Sequence, residues 1–523
     1  MSRPYNSIRL LIAGLLLAIA GFAAIKSCST GPKPPFELAV WYWHSPYTVS
    51  SDESKLLSDV GIQKVFVRAG TFTSDGENVV LKIPQSYKTK AKQDLHLVFN
   101  FDSGVIRHFE HYNLEKMSSQ VAVRIDKQVD EAVKAGERVQ GIQLDFDVPT
   151  RLLTRYGQLV HKIRSKLTAS KLKFSSTGLM SWLGTSGIRD LSAELDFIVP
   201  QAYEGETGRT IETMRPVSDP DYFRRTIGKA GSLRCPFYIG IPAYGHGFLF
   251  DEQGKLASIY QNLGPAEALR HPSFKFISAS PVDRLGKPAK SATDSVGEEI
   301  IKFRAVRPAP DGRGMGYYLA YTIPTADLLT RWIAAAREAQ TSNCLGAVIY
   351  RCPEPESTLT LPYQLFASAI RGVKEKPELK VSLDTVRDNF DLIESSAPNR
   401  QAPKDIFLKV QNIGKAPTFI SPDAVEIEIQ LDTPGVESVR LRDFESVRYV
   451  SQDKQVPNRQ ASGLILSKGY LAPGESAYVG PIRLLTGQAN ITAVKWTARD
   501  GDGFQFSKGE QNSISNDAPT TPR

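Results

Sequence analysis

"GIQLDFDVPT", residues 141–150, ends a short apolar run in two carboxylates, Asp145 and Asp147. In an extended chain successive side chains alternate, so Gln143, Asp145 and Asp147 share one face while Ile142, Leu144 and Phe146 share the other. One face of this strand is made for packing and the other for chemistry or binding. A strand of that kind belongs in a sheet whose strand ends carry the working groups.

Seven further runs rich in Val, Ile, Phe and Tyr flank it. In order, the eight predicted strands are 36–43, 62–69, 95–101, 141–147, 172–179, 195–203, 236–244 and 346–352. Helical spacing of apolar residues appears at 118–136, 151–167 and 325–340, between or before these strands. Alternating strand and helix argues for parallel strands, and eight such units close into a (β/α)8 TIM barrel, an α/β fold. An open doubly wound sheet is the alternative, but no Gly-rich phosphate loop follows the first strand. About a hundred residues separate strands seven and eight; within them "EEIIKFRAV" and "GMGYYLAYTI" flank the turn "PAPDGRG", which predicts a hairpin walling the barrel mouth.

From about residue 378 the pattern changes to alternating strands without helices, as in "VEIEIQLDT" and "NITAVKWTA". The expected organisation is therefore a barrel over 36–372, a linker near 371–380, an all-β sandwich over 378–510, and a disordered tail at 511–523.

The 523 residues are 41% hydrophobic and 23% charged, ordinary globular proportions for a chain of more than one domain. A net charge of +8 is spread along the chain, so a solvated surface is the expectation and no nucleic-acid partner is implied. At the N-terminus Arg3 and Arg9 precede the apolar run Leu10–Ile25, which at 16 residues suits a signal segment better than a membrane span of about 20. Cys28 follows Ser27 and precedes the polar tether 29–35, a pattern that resembles the bacterial lipobox, with Lys26 as a departure. Residues 1–28 are expected to export the chain to the cell envelope, periplasmic or outer surface, with Cys28 lipidated and membrane-anchored; an uncleaved signal anchor is the alternative. Cys344 and Cys352 could pair in that oxidising setting, though free buried thiols are at least as well supported.

In such a barrel the active site lies at the C-terminal strand ends. Those ends carry Arg68, Asn100, Asp102, Asp145, Asp147, Gln201, Tyr203, Glu204 and Tyr350. Each has a plainer reading, most clearly Asp102, which precedes Ser103-Gly104 and suits turn chemistry. Trp41, Trp43, Trp182 and Tyr244 suit sugar stacking, with core packing expected for at least half of them. No metal motif or G-x-S-x-G elbow is present, so no cofactor is expected; His44 and His246 stand near strand ends, where structural hydrogen bonding is the expectation.

"GIQLDFD" resembles the strand-four signature of family 18 glycoside hydrolases, the chitinase-like barrels, approximately D-G-I-D-L-D-W-E. "VPQAYEG" resembles that family's strand-six M-x-Y-D pattern. A closer whole-chain resemblance is to a bacterial family known as domain of unknown function 3142, through "QLDFD", "SSTGLMSWLG" (175–184) and "VPQAYEG". The chitinase-like resemblance implies Asp147 as general acid, Asp145 as its partner and orienter of a substrate N-acetyl group, Tyr203 as the acetamido contact, and Glu204 on the strand-six acid. Gln143, Gln201, Arg68, Asn100, Asp102 and Tyr350 are then substrate-binding candidates. Two departures stand out: Asp147 falls roughly 1.5 Å short of a Glu carboxyl, and Gln143 cannot share a proton. The expected function is hydrolysis or binding of a polysaccharide; a non-catalytic carbohydrate-binding or envelope-scaffold lipoprotein is the alternative.

Overall fold

The computed structural model describes residues 33–88, 92–169, 171–203, 208–217, 220–260, 262–308, 314–354, 357–384, 404–452, 454–486 and 489–511. The expected signal segment with Cys28, most of the tether, Glu204 and the C-terminal tail beyond Gln511 lie outside them. Among the described residues no helix is long and apolar enough to cross a membrane.

All eight expected barrel strands are present: β1 (Glu37–Tyr42), β2 (Ile62–Asp75), β3 (Asp94–Phe101), β4 (Val139–Asp145), β5 (Lys173–Leu179), β6 (Phe197–Gln201), β7 (Phe237–Pro242) and β8 (Cys344–Tyr350). Each pairs in parallel with the next, and β8 pairs with β1. The parallel β1–β2 pair, from Leu38↔Ile62 to Tyr42↔Val67, closes the cylinder and excludes the open sheet. Strand alternation divides the core in two. Ala39, Trp41, Phe66, Val98, Val199 and Val348 fill the interior, while their neighbours Val40, Val65, Leu97, Leu144 and Ile349 pack outward among the helices. The helices Leu114–Lys134, Leu153–Lys166 and Ala326–Glu338 fall where the spacing predicts them. Asn113 and Thr325 cap the first and third by accepting backbone N–H bonds.

The predicted hairpin between β7 and β8 exists, with Glu298–Ala305 antiparallel to Tyr318–Pro324. It is the middle of something larger. His246–Phe250 and Leu256–Ile259 extend the sheet on one side and Phe274–Pro281 on the other, giving five strands. The physical reason is that both hairpin edges carry unpaired backbone groups, which the flanking segments satisfy.

Beyond the barrel, two antiparallel sheets of four and six strands face each other. Leu408, Val410 and Val479 of the first pack with Ile427, Leu466 and Trp496 of the second in one core, a sandwich arrangement. Ile420 and Tyr470 leave that core and join Phe303 and Tyr321 of the inserted sheet. Cys235, Cys344 and Cys352 are free and buried, so the possible Cys344–Cys352 pair is not formed.

Candidate active site

The alternation read from "GIQLDFD" holds as far as Asp145. Ile142, Leu144 and Phe146 are buried in the outer core, and Gly141, Gln143 and Asp145 face the barrel interior. Gly141 is required there: it lies beside His96 in the register, and a Cβ would stand 2.2 Å from the His96 ring. That ring is itself stacked on Phe66 and edged by Phe197. Burial first, and then the charge of Lys64, push His96 down to about 4, so it is a neutral aromatic spacer.

Gln143 forms the layer above. It is fully buried, accepts from the Trp41 indole at 2.8 Å and contacts Ser175 at 3.4 Å. Trp41 is thereby a core residue bound to Gln143, and the indole of the equally buried Trp182 packs edge-on to Tyr156.

Asp145 ends β4 at the mouth. Its Oδ1 accepts from Thr177 Oγ1 of β5 at 2.7 Å and lies 3.4 Å from Gln201 Nε2 of β6. Burial raises its pKa, and these two donors pull it back only in part. Asp147, expected on the same extended face, follows the end of the strand. Val148 N–H bonds to Phe146 C=O at 2.8 Å, a three-residue turn with Asp147 at its apex. Phe146 and Val148 are both buried, and Phe146 is wedged among Phe101, Phe109 and Tyr156. Asp147 is thus held on a rigid support. Tyr156, beneath the pair, feels the charge of both carboxylates and bonds to Ser176 at 2.8 Å.

Opposite stands an aromatic wall. Tyr203 and Tyr350 stack with centroids 5.5 Å apart and planes 14° from parallel. Tyr244 meets Tyr350 edge-on at 4.6 Å, and the partly exposed Trp43 does so at 5.5 Å. A polar chain runs beside it: Arg68 donates to Thr71 at 3.2 Å, and Thr71 donates to Asn100 at 2.8 Å. Burial lowers the pKa of Arg68, and Tyr350 works against that shift. At the β1–β8 edge, Glu354 meets His44 at 3.1 Å and Arg351 at 3.0 Å. Burial works against its charge, but those two partners hold the carboxyl below the usual range. His246, by contrast, is pushed down to about 4 by burial and by Arg351.

The structure therefore brings Asp145 and Gln201 into direct contact, places Asp147 two residues on at the apex of the turn, links Arg68 to Asn100 through Thr71, and stacks Tyr203 on Tyr350. Asp102 is engaged elsewhere. Its Oδ1 accepts from Val105 N–H at 2.9 Å, capping the helix Ser103–His108, as its Ser-Gly sequel allows. Thr177, Thr71, Tyr156 and the Arg351–Glu354 pair were not singled out from sequence. Only Thr177 carries a usable signal, as the inward residue next to a strand end.

The sequence around these residues has relatives. Residues 110–263 match the family described as Domain of unknown function (DUF3142). The DUF3142 match spans β4 to β7 and so contains Asp145, Asp147, Thr177, Gln201 and Tyr203, as the resemblance read from "QLDFD" and "VPQAYEG" implies. No curated protein matches the chain. Similar solved structures include the spore cortex-lytic enzyme SleL of Bacillus megaterium QM B1551, at 12% identity and TM-score 0.40, covering 66% of this chain and 76% of that one. A chitinase from Chromobacterium violaceum ATCC 12472 is similar at 16% identity and TM-score 0.38, covering 64% and 98%. Chitinase ChiA74 from Bacillus thuringiensis is similar at 11% identity and TM-score 0.39, covering 87% and 100%.

Proposed function

We propose that the barrel acts on a polysaccharide as a glycoside hydrolase, with Asp147 as general acid and Asp145 as the carboxyl that orients the substrate and tunes the acid. The observation that carries this reading is the bonding of Asp145 by Thr177 and Gln201 in a desolvated mouth, with Asp147 on a fixed turn beside it. Glycosidic cleavage needs an acid for the leaving oxygen and a second group to stabilise the positive centre. Asp145 and Asp147 supply two neighbouring carboxyls; burial raises the pKa of Asp145, and Asp145 when charged would raise that of Asp147 in turn. The stacked tyrosines and Trp43 offer apolar faces of the kind a sugar ring packs against. Tyr203 takes the acetamido role if the substrate is an amino-sugar polymer, Glu204, next in sequence, is a further candidate acid, and Arg68, Asn100, Gln201 and Tyr350 contact hydroxyls.

In this proposal the chain is exported by residues 1–28 and held at the envelope membrane through lipidated Cys28. Substituting Cys28 by Ser then moves the protein from the membrane fraction to the soluble one; continued membrane retention would support the signal-anchor alternative.

The catalytic test is release of reducing ends from bacterial exopolysaccharides and amino-sugar polymers by the exported portion, repeated with Asp147→Asn. Turnover is expected to fall about 10²-fold or more while glycan binding survives. Saturable binding without hydrolysis across the panel would favour the non-catalytic carbohydrate-binding alternative.

A further inference from the structure

Away from the barrel mouth, a cavity of about 320 Å³ lies where the inserted sheet, the helix Tyr363–Ile370 and the C-terminal sandwich meet. Its rim runs along the exposed residues Gly372–Lys374. Its wall is largely apolar, with Ile323, Leu361, Phe419 and Phe504, but several carboxylates line it. Most of them are engaged: Asp502 by Lys374 at 2.8 Å, Asp327 by Arg331 at 2.6 Å, and Glu375 by Ser368 at 2.7 Å. Two are left without a cation in contact among the described residues.

The first is Glu299. Its neighbour Glu298 turns the other way and accepts from Val217 N–H at 2.8 Å. Glu299 is 3% exposed, and its Oε1 has no hydrogen-bond partner. The second is Asp500, 2% exposed, whose Oδ1 accepts from Ser507 while Oδ2 is unsatisfied. The Thr358 hydroxyl on the same wall is also unpartnered. Buried polar atoms are nearly always paired, so three orphans around one cavity point to an occupant that brings donors. Among the described residues no group of three or more acidic, His or Cys side chains is placed to hold a metal ion. Surplus carboxylate oxygen with apolar walls suits a molecule carrying N–H donors and positive charge on an apolar body.

We propose that this interdomain cavity binds a small organic cation, its ammonium group taken by Glu299 and Asp500 and its apolar body lying against Ile323 and Phe504. Burial holds Glu299 well above the ordinary carboxylate range, Arg499 pulling it down and Asp502 pushing it up. A carboxyl raised in this way sheds its proton as it pairs with an ammonium, so below its raised pKa binding releases a proton to the solvent.

The test is titration calorimetry on the full chain with cyclohexylamine hydrochloride, and with cyclohexanol as the neutral probe of similar shape, in two buffers of different ionisation enthalpy. The amine is expected to bind about tenfold or more tightly than the alcohol, with a buffer-dependent heat that reports proton release. Glu299→Gln should weaken amine binding by about tenfold or more and abolish the buffer dependence. Asp500→Asn should weaken it as well, which keeps the test open should the first variant not fold. Asp145→Asn, at the barrel mouth, should leave it unchanged. Equal affinity for amine and alcohol, no amine binding at millimolar concentration, or undiminished binding in both cavity variants would overturn the proposal.

Discussion

At the scale of single residues, Asp145 is engaged by Thr177 and Gln201 while burial raises its pKa. A carboxyl whose folded pKa exceeds its unfolded value contributes stability at low pH and loses it as pH rises from about 4 through the folded pKa. Asp145→Asn should therefore raise the melting temperature above wild type, with a gap that widens between mildly acidic and neutral pH; thermal scans across that range check this, and a constant or reversed gap would contradict it. The same change should impair turnover. It should also move the alkaline limb of the pH–rate profile downward, because Asp147 loses a negative neighbour that helps it keep its proton. Thr177→Val keeps shape but removes a donor that lowers the Asp145 pKa, so it should widen the stability loss at neutral pH. Asp102, serving as a helix cap, belongs to a different class: Asp102→Ala should cost about 1 kcal/mol of stability and leave glycan binding alone.

At the scale of elements, β4 delivers Asp145 to the mouth because its inward face is stepped: glycine at the bottom, a buried glutamine above it, then Asp145. The first step depends on the His96 ring beside Gly141, which is sandwiched by Phe66 and Phe197 and has nowhere to go. Gly141→Ala should destabilise the barrel by about 1–3 kcal/mol. Adding His96→Ala should recover part of that loss, and denaturant titration of the two single variants and the double would measure the coupling. Fully additive losses would show that the glycine answers to something other than the ring. The strand itself was plain in the sequence because its period of two is unambiguous. Where it stops was not, since "DFD" continues the alternation while the chain turns at Asp147 and anchors Val148 in the outer core.

At the scale of the whole molecule, the inserted sheet is the junction. Its Phe303 and Tyr321 pack against Ile420 and Tyr470 of the C-terminal region, and Arg270 reaches Glu475 at 3.0 Å. The linker is also stapled, by Lys374 to Asp502, although an ion pair this exposed contributes little. Apolar contact across the junction contributes more. Limited proteolysis near 371–380 should therefore leave two fragments that co-elute in gel filtration and part only under denaturant. Fragments that separate at once in native buffer would show that the shared cluster is too small to hold them.

What the sequence by itself determined was the set of local periodicities. Eight alternating runs with helical spacing between them specify a parallel barrel, because alternation and helical spacing are properties of neighbours along the chain. The later strand-rich region was equally legible for the same reason. "QLDFD" and "VPQAYEG" also marked the strand ends from which Asp145, Asp147, Gln201 and Tyr203 project. The tertiary structure decided which partners those residues meet. Nothing in "SSTGL" says that Thr177 bonds Asp145, in Gln143 that Trp41 holds it, or in Glu299 that its carboxyl is buried at a domain junction. Those are contacts between residues tens to hundreds of positions apart, fixed by strand register and barrel closure, and no local pattern encodes them.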